Sequence, residues 1–123
     1  MSDSIYRENI IFHYRNPENR GKIPGATAHS REFNPLCGDD VELWLNISNG
    51  EITDAKFEGR GCAISQASAS MLAEEIKHNS VKHAQSITKE KIFELLGVEL
   101  SPARIKCALL SLEALRSALR TMN

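Results

Sequence analysis

The segment Val41-Glu-Leu-Trp-Leu-Asn-Ile47 is followed by Ser48-Asn-Gly-Glu51 and then by Ile52-Thr-Asp-Ala-Lys-Phe-Glu58. Apolar side chains occupy alternate positions of the first segment, the pattern of a strand with one buried face, and Trp44 is the exception on the other face. The Asn-Gly pair favours a tight turn whose two central residues have positive φ. We therefore predict an antiparallel hairpin, with apolar or small residues alternating with charged ones in its second strand: Thr53, Ala55 and Phe57.

The regions on either side of this hairpin are predicted as follows. After the reversal Gly59-Arg-Gly61, the short apolar run Cys62-Ala-Ile64 is predicted to be a third antiparallel strand of a meander. Before the hairpin, residues Ser4 to Tyr14 are predicted to be a helix that ends ahead of Pro17. The glycines and prolines between Arg15 and Pro35 indicate a surface loop.

Helical periodicity dominates the second half of the chain. Its apolar spacing predicts a helix from an N-cap at Ser65 to about His78. Further helices are predicted after Ser80, from Thr88 to Leu96 with Gly97 as the C-cap, and from Ser101-Pro102 to the end. The fold class is therefore α+β: a three-stranded antiparallel sheet with an N-terminal helix and C-terminal helices packed on it.

Composition limits the possible functions. A chain of 123 residues with 41% hydrophobic content suits one domain, residues 1–123, with one core. Fifteen Lys and Arg against sixteen Asp and Glu give a net charge of -1 without a basic stripe, which argues against a nucleic-acid partner. No segment resembles a secretion signal or a membrane span, so we expect a cytoplasmic protein without a membrane partner. The odd number of cysteines, three, favours free thiols or metal ligands over disulfides.

Strand order brings the chemically interesting residues together. Cys37 precedes the first predicted strand and Cys62 opens the third, so both lie at one edge of the meander. Asp39, two residues after Cys37, can face the same point. Cys107 lies near the start of the last helix, where the helix dipole favours a thiolate, and is the natural fourth ligand. Three thiolates and a carboxylate suit tetrahedral zinc, and thiolates also bind iron-sulfur clusters.

Other residues are weaker candidates. Single cysteines are more often inert core residues, and it is their joint placement, two of them beside glycines, that favours a site. Lys106 could stabilise the neighbouring thiolate or face water. The histidines are expected to be structural or solvated, because none adjoins a cysteine motif: His13, His29, His78 and His83.

Three motifs then point to a family. Asn34-Pro-Leu-Cys-Gly-Asp39, Gly59-Arg-Gly-Cys-Ala-Ile-Ser65 and Ile105-Lys-Cys-Ala-Leu109, in this order, resemble the IscU, SufU and NifU N-terminal family. The resemblance covers nearly the whole chain. It implies an α+β fold and a site of three cysteines and one aspartate that takes sulfur from a cysteine desulfurase, and the family's site positions match Cys37, Asp39, Cys62 and Cys107.

The resemblance implies two possible roles. Zinc-dependent sulfur transfer, as in SufU-like proteins, would use Cys37 as the sulfur acceptor from a SufS-like desulfurase. A scaffold role, as in IscU-like proteins, would build a [2Fe-2S] cluster with an IscS-like desulfurase, with Cys107 as the alternative acceptor, and pass it to apoproteins or cluster carriers. Either role describes a sulfur acceptor or scaffold rather than a conventional enzyme.

The sequence contains features of both roles. Lys106 stands where IscU-like proteins have a histidine, and Ala63-Ile-Ser-Gln-Ala-Ser-Ala-Ser-Met71 is SufU-like. The interval from Cys62 to Cys107 lacks the insertion usual in SufU-like proteins. Leu100-Ser-Pro-Ala-Arg104 has only part of the chaperone-binding pattern of IscU-like proteins.

Two other classes are disfavoured. A structural zinc module usually has a C-x-x-C pair, and none occurs here. A cysteine hydrolase needs a histidine near its cysteine, and no histidine adjoins a cysteine motif.

Overall fold

A computed structural model of the chain describes residues 2–35 and 38–121, with side chains described from residue 7 onward. The helices and strands, in chain order, are α1 Ser2–Arg15, β1 Ala28–Phe33, β2 Asp40–Ser48, β3 Glu51–Arg60, α2 Ala63–Ile76, α3 Val81–Gln85, α4 Lys89–Leu96 and α5 Pro102–Arg120. The three strands form one antiparallel sheet in the order β1-β2-β3. The predicted α+β class with a three-stranded antiparallel sheet is therefore confirmed.

The predicted hairpin is formed by β2 and β3. Asn49 and Gly50 have φ values of 53° and 78°, as the tight turn requires. Ala55 and Phe57 are fully buried, but Thr53 is exposed. The pairing register shifts beside Ile47, so that Ile52 is the buried residue at that end of β3 instead.

Part of the predicted loop, residues 28–33, is the strand β1, so the loop prediction was wrong there. β1 pairs with β2 from Ala28 opposite Leu45 to Phe33 opposite Asp40. Its buried positions hold Ala28 and Ser30, which do not produce the alternation of large apolar residues that identifies a strand. The Ser30 hydroxyl can be buried because it donates to a backbone carbonyl of α5.

The predicted strand Cys62-Ala-Ile64 was also wrong, because α2 begins at Ala63. Cys62, rather than Ser65, is the N-cap, with extended backbone angles of φ -71° and ψ 166°. The Cys62 carbonyl accepts the N–H of Gln66 at 3.2 Å, and its sulfur accepts the N–H of Ser65 at 3.5 Å. These contacts satisfy donors that the first turn of a helix leaves unpaired, so helix formation prevails over a three-residue strand.

The other helix predictions are confirmed to within a few residues. The Ser80 and Thr88 side chains cap α3 and α4, and Gly97 ends α4 with φ 66°. Pro102 stands at the start of α5. No helix in the described part of the chain is long and apolar enough to cross a membrane.

Two helices cover the sheet face that bears Leu43 and Phe57. Ser30, opposite Leu43 in the sheet, donates to α5, and α2 packs against β3. On the other face, Trp44 is 9% exposed and contacts the His29 ring of the adjacent strand, with ring centroids 5.1 Å apart and ring planes tilted by 33°. The neighbouring strand thus helps to bury this tryptophan.

Candidate metal site

Asp39, Cys62 and Cys107 come together at one edge of the sheet. One carboxylate oxygen and the two sulfur atoms all lie within 4.8 Å of one another. The Cys62 thiol donates to Asp39 Oδ2 at 3.4 Å. Asp39 is 4% exposed and Cys107 5%, whereas Cys62 is half-buried. The three residues come from three separate parts of the chain, so only the folded protein forms this group.

Asp39 is positioned by the turn before β2. Gly38 has φ 78° and donates its N–H to the Asn34 carbonyl at 2.8 Å, while the Asn34 N–H donates to the Asp39 carbonyl at 2.8 Å. The next residue, Asp40, pairs with Arg60 at the end of β3. Because antiparallel pairing joins the start of β2 to the end of β3, Asp39 lies beside the segment that leads into α2.

Cys62 caps the helix that follows this segment. Its sulfur accepts the N–H of Ser65, and its backbone carbonyl accepts the hydroxyl of Ser65 at 3.1 Å. These contacts hold the Cys62 sulfur at the N-terminus of α2, where the helix bears a partial positive charge.

Gly61 permits the close approach of Asp39 to α2. It has φ 151°, a conformation that L side chains rarely adopt. A β-carbon at this position would lie 2.6 Å from Asp39 Oδ1 and 2.7 Å from the Ser65 hydroxyl oxygen. Only glycine leaves the carboxylate where it stands.

Cys107 reaches the site because α5 packs closely on α2. The Ser68 hydroxyl donates to the carbonyl of Ala108, the residue after Cys107, at 2.7 Å, and it lies 2.8 Å from the Ser111 hydroxyl. All three of these small neighbours are buried. Small side chains and these two hydrogen bonds draw the helices together and bring the Cys107 thiol to Asp39 and Cys62.

A groove of about 690 Å³ opens beside Cys62. It lies between α1 and the start of α5, and apolar residues such as Ile10 and Leu100 line it together with two arginines, Arg7 and Arg104. The groove gives Cys62 a route to solvent that the buried Asp39 and Cys107 lack. A partner could therefore approach the site along this side.

The site predicted from the sequence is partly described. Asp39 and Cys62 meet at the edge that strand order predicted, although Cys62 is a helix cap and not the start of a strand, and Cys107 joins them from α5. Cys37, the predicted acceptor and fourth ligand, lies outside the described residues. Lys106 is exposed and lines a separate cavity with Phe33.

Three of the histidines make contacts away from this group. His13 Nδ1 lies 2.8 Å from the Ser70 hydroxyl, His29 contacts Glu42 at 2.6 Å, and His83 contacts Glu75 at 2.9 Å. These contacts agree with the expected structural roles.

Sequence reasoning missed the contact of Ser65 with Cys62, because it treated Ser65 only as a helix cap. It took Gly61 as part of a reversal and as a glycine beside Cys62, but did not indicate the space that Gly61 leaves for Asp39. Ser65 stands three residues after Cys62, which is the position that contacts an N-cap residue in a capping box. That spacing is the signal that could have indicated a contact between Ser65 and Cys62.

The chemistry of the three described side chains fits a thiophilic metal. Zinc takes cysteine sulfur and carboxylate oxygen, and two sulfur atoms on one tetrahedral zinc lie roughly 3.8 Å apart when each Zn–S bond is about 2.3 Å. The observed limit of 4.8 Å is about 1 Å longer than that spacing. Asp39, Cys62 and Cys107 can therefore supply three ligands, leaving one tetrahedral position for another.

Fold and site together define a known class of protein: the chain belongs to the NifU-like N-terminal domain family, whose model matches residues 5–123. Among its relatives, the zinc-dependent sulfurtransferase SufU of Bacillus subtilis (strain 168) is 39% identical, over 92% of this chain and 88% of the relative. That alignment has 130 positions and so contains gaps in this chain of 123 residues. The iron-sulfur cluster assembly scaffold protein IscU of Escherichia coli (strain K12) is 35% identical, over 93% of this chain and 91% of the relative.

Solved structures agree with the fold. A candidate iron-sulfur cluster assembly scaffold protein for the SUF system from Fervidobacterium islandicum AW-1 superposes with a TM-score of 0.80 at 33% identity, covering 97% of this chain and 99% of that one. A nitrogen-fixing NifU-like protein (N-terminal) from Brucella abortus superposes with a TM-score of 0.79 at 23% identity, covering 98% of this chain and 95% of that one. This second likeness concerns the fold alone.

Proposed function

We propose that this chain is an iron-sulfur cluster assembly protein that accepts persulfide sulfur from a cysteine desulfurase at a zinc site. The observation that supports this most strongly is the approach of the Asp39, Cys62 and Cys107 ligand atoms to within 4.8 Å. Cys37 is the proposed fourth ligand. The 39% identity to a zinc-dependent sulfurtransferase, higher than the 35% to the Escherichia coli scaffold protein, favours this role.

In this proposal the ligand residues have different roles. Cys62 and Cys107 hold the site together, because one caps α2 and the other is buried on α5. Asp39 is the exchangeable ligand, since a carboxylate is a weaker zinc ligand than a thiolate. Bound zinc would keep the thiols deprotonated until the partner docks. Cys37 remains the preferred acceptor, and the burial of Cys107 weighs against its acting first.

The transfer step exchanges one sulfur-sulfur bond for another. The Cys37 thiolate attacks the outer sulfur of the desulfurase persulfide, a new S–S bond forms and the old one breaks. The desulfurase cysteine leaves as a thiolate, so no external oxidant or reductant is needed. The sulfur then passes from the Cys37 persulfide to a further acceptor.

The second candidate function is a scaffold that assembles a [2Fe-2S] cluster as cargo and delivers it to apoproteins or cluster carriers. It is favoured by the extent of the match to IscU proteins, for example 33% identity over 97% of this chain and 95% of the Thermotoga maritima protein. The alignment with the Escherichia coli scaffold protein, 118 positions over 93% of this chain, contains fewer gaps than the 130-position SufU alignment, which also favours this role. Thiolates are the usual ligands of such clusters.

One anaerobic experiment separates the two roles. The zinc-loaded protein and the metal-free protein, supplied with ferrous iron, are each incubated with cysteine and a desulfurase, and sulfide release, visible absorption and transfer to an apo-ferredoxin are followed. Zinc-dependent stimulation of the desulfurase without a transferable cluster supports sulfur transfer. A transferable cluster from the iron-supplied protein, with no zinc-dependent stimulation, would refute it and support the scaffold.

Site variants test the ligands themselves. Cys37→Ser, Cys62→Ser and Cys107→Ser should each sharply reduce zinc content, and Asp39→Ala should mainly accelerate zinc exchange with a chelator. The matched control is Asp40→Ala, because Asp40 is the neighbouring residue and forms an ion pair with Arg31 at 3.2 Å. Unchanged zinc content in all three cysteine variants would overturn the proposed site.

A further inference from the structure

Ser65 and Gln66, in the first turn of α2, form a hydrogen-bonded chain that ends on Cys62. Gln66 Nε2 donates to the Ser65 hydroxyl oxygen at 3.2 Å, and that hydroxyl donates to the Cys62 carbonyl at 3.1 Å. The Ser65 backbone N–H donates to the Cys62 sulfur at 3.5 Å. Ser65 is 0% exposed and Gln66 3%, so water does not compete for these bonds.

The Gln66 amide and the Cys62 carbonyl share the Ser65 hydroxyl. It gives its one proton to the Cys62 carbonyl and accepts the Gln66 amide N–H on a lone pair. Cys62 is then held at both its carbonyl and its sulfur. The Ser65 hydroxyl oxygen is also a close neighbour of the space that Gly61 leaves open beside the Asp39 carboxylate. The hydrogen-bonded chain therefore contacts one of the three described ligands, Cys62.

Folding alone does not explain Gln66. Its Oε1 atom is buried and has no hydrogen-bond partner among the described residues. A buried carbonyl without a partner lowers stability, and an apolar side chain of similar size would avoid that penalty. This residue is therefore better explained by the site beside it than by the stability of α2.

We propose that Ser65 and Gln66 are positioning residues of the metal site, which hold the Cys62 sulfur and carbonyl in the orientation that metal binding needs. This inference rests on the proposed metal site. Residues that support a metal ligand through hydrogen bonds typically change metal affinity by about ten-fold to a hundred-fold when they are replaced.

The test compares zinc affinity with the stability of the metal-free protein. Zinc affinity is measured by competition with a chromophoric chelator, the geometry of the site by the visible spectrum of the cobalt-substituted protein, and stability by thermal unfolding of the metal-free chain. Gln66→Met removes the amide at similar size, and Ser65→Ala removes the hydroxyl. The control is Ser70→Ala, a buried serine of the same helix that contacts His13 instead.

The two site variants and the Ser70→Ala control are expected to change zinc affinity and stability in opposite ways. Gln66→Met should weaken zinc binding by about ten-fold while leaving the metal-free protein as stable as the unaltered chain or more so. Ser65→Ala should weaken zinc binding at least as much and alter the cobalt spectrum, whereas Ser70→Ala should lower stability without changing zinc affinity.

Two results would contradict the inference. Unaltered zinc affinity in both Gln66→Met and Ser65→Ala would overturn it, and so would an equal loss in Ser70→Ala, because that would mark a general effect of helix stability. Failure of the unaltered chain to bind zinc or cobalt would instead overturn the proposed metal site, so the two failures are distinguishable.

Discussion

Gly61→Ala should damage the proposed metal site more than it damages the fold. The new β-carbon would lie 2.5 Å from Asp39 Cγ, and ordinary contact begins at 3.4 Å, so the carboxylate would have to move by about 0.9 Å. Ligand distances at a metal site are normally kept within about 0.2 Å of their ideal values. The positive φ adds about 1–3 kcal/mol of strain. We expect zinc affinity to fall by at least about ten-fold, as for other changes that displace a ligand.

The matched control for this variant is Gly25→Ala. Gly25 also has a positive φ, 71°, but a β-carbon there would meet nothing within 4 Å. Both variants should therefore unfold at a lower temperature than the unaltered chain, and only Gly61→Ala should lose zinc affinity in a chelator competition. Equal zinc affinity in Gly61→Ala and the unaltered chain would refute the argument that this glycine makes room for Asp39.

Three further predictions concern stability. Phe57→Ala, on the buried face of β3, should lower the free energy of unfolding by about 3–5 kcal/mol in urea titrations. Phe33 is 56% exposed, so an equally small effect in Phe57→Ala and in Phe33→Ala would contradict this. Ser30→Ala should cost about 1 kcal/mol in the same titration because α5 loses a buried hydrogen bond, and no change would argue against that bond. Zinc at a hundred times its dissociation constant should stabilise the protein by about 2.7 kcal/mol, and a chelator should reverse this; an unfolding temperature independent of zinc would refute a site formed only in the folded state.

Local patterns were enough to predict the hairpin and most helices. Asn49-Gly50 has few alternatives to a tight turn, and Gly97 ends a helix because it tolerates a positive φ. Such signals act between residues close in sequence, so they can be recognised without knowing the rest of the fold. The meeting of Asp39 and Cys62 followed from the same local knowledge, since antiparallel pairing brings the start of one strand to the end of the next.

Tertiary structure decided the features that depend on distant partners. Ala28–Phe33 is a strand because β2 offers it an edge and α5 accepts the Ser30 hydroxyl, neither of which its own residues reveal. Cys62 became a helix cap because the first turn of α2 supplied donors to its sulfur and carbonyl. The residue types of the site, and the pairing of its Asp39 and Cys62 segments, were thus determined by the sequence alone. Three features required tertiary packing: the approach of Cys107, the space at Gly61 and the buried hydrogen bonds of Ser65 and Gln66. They depend on α5 and the turn before β2 packing against α2. Hydrogen bonds and close contacts between distant segments exist only in the folded chain.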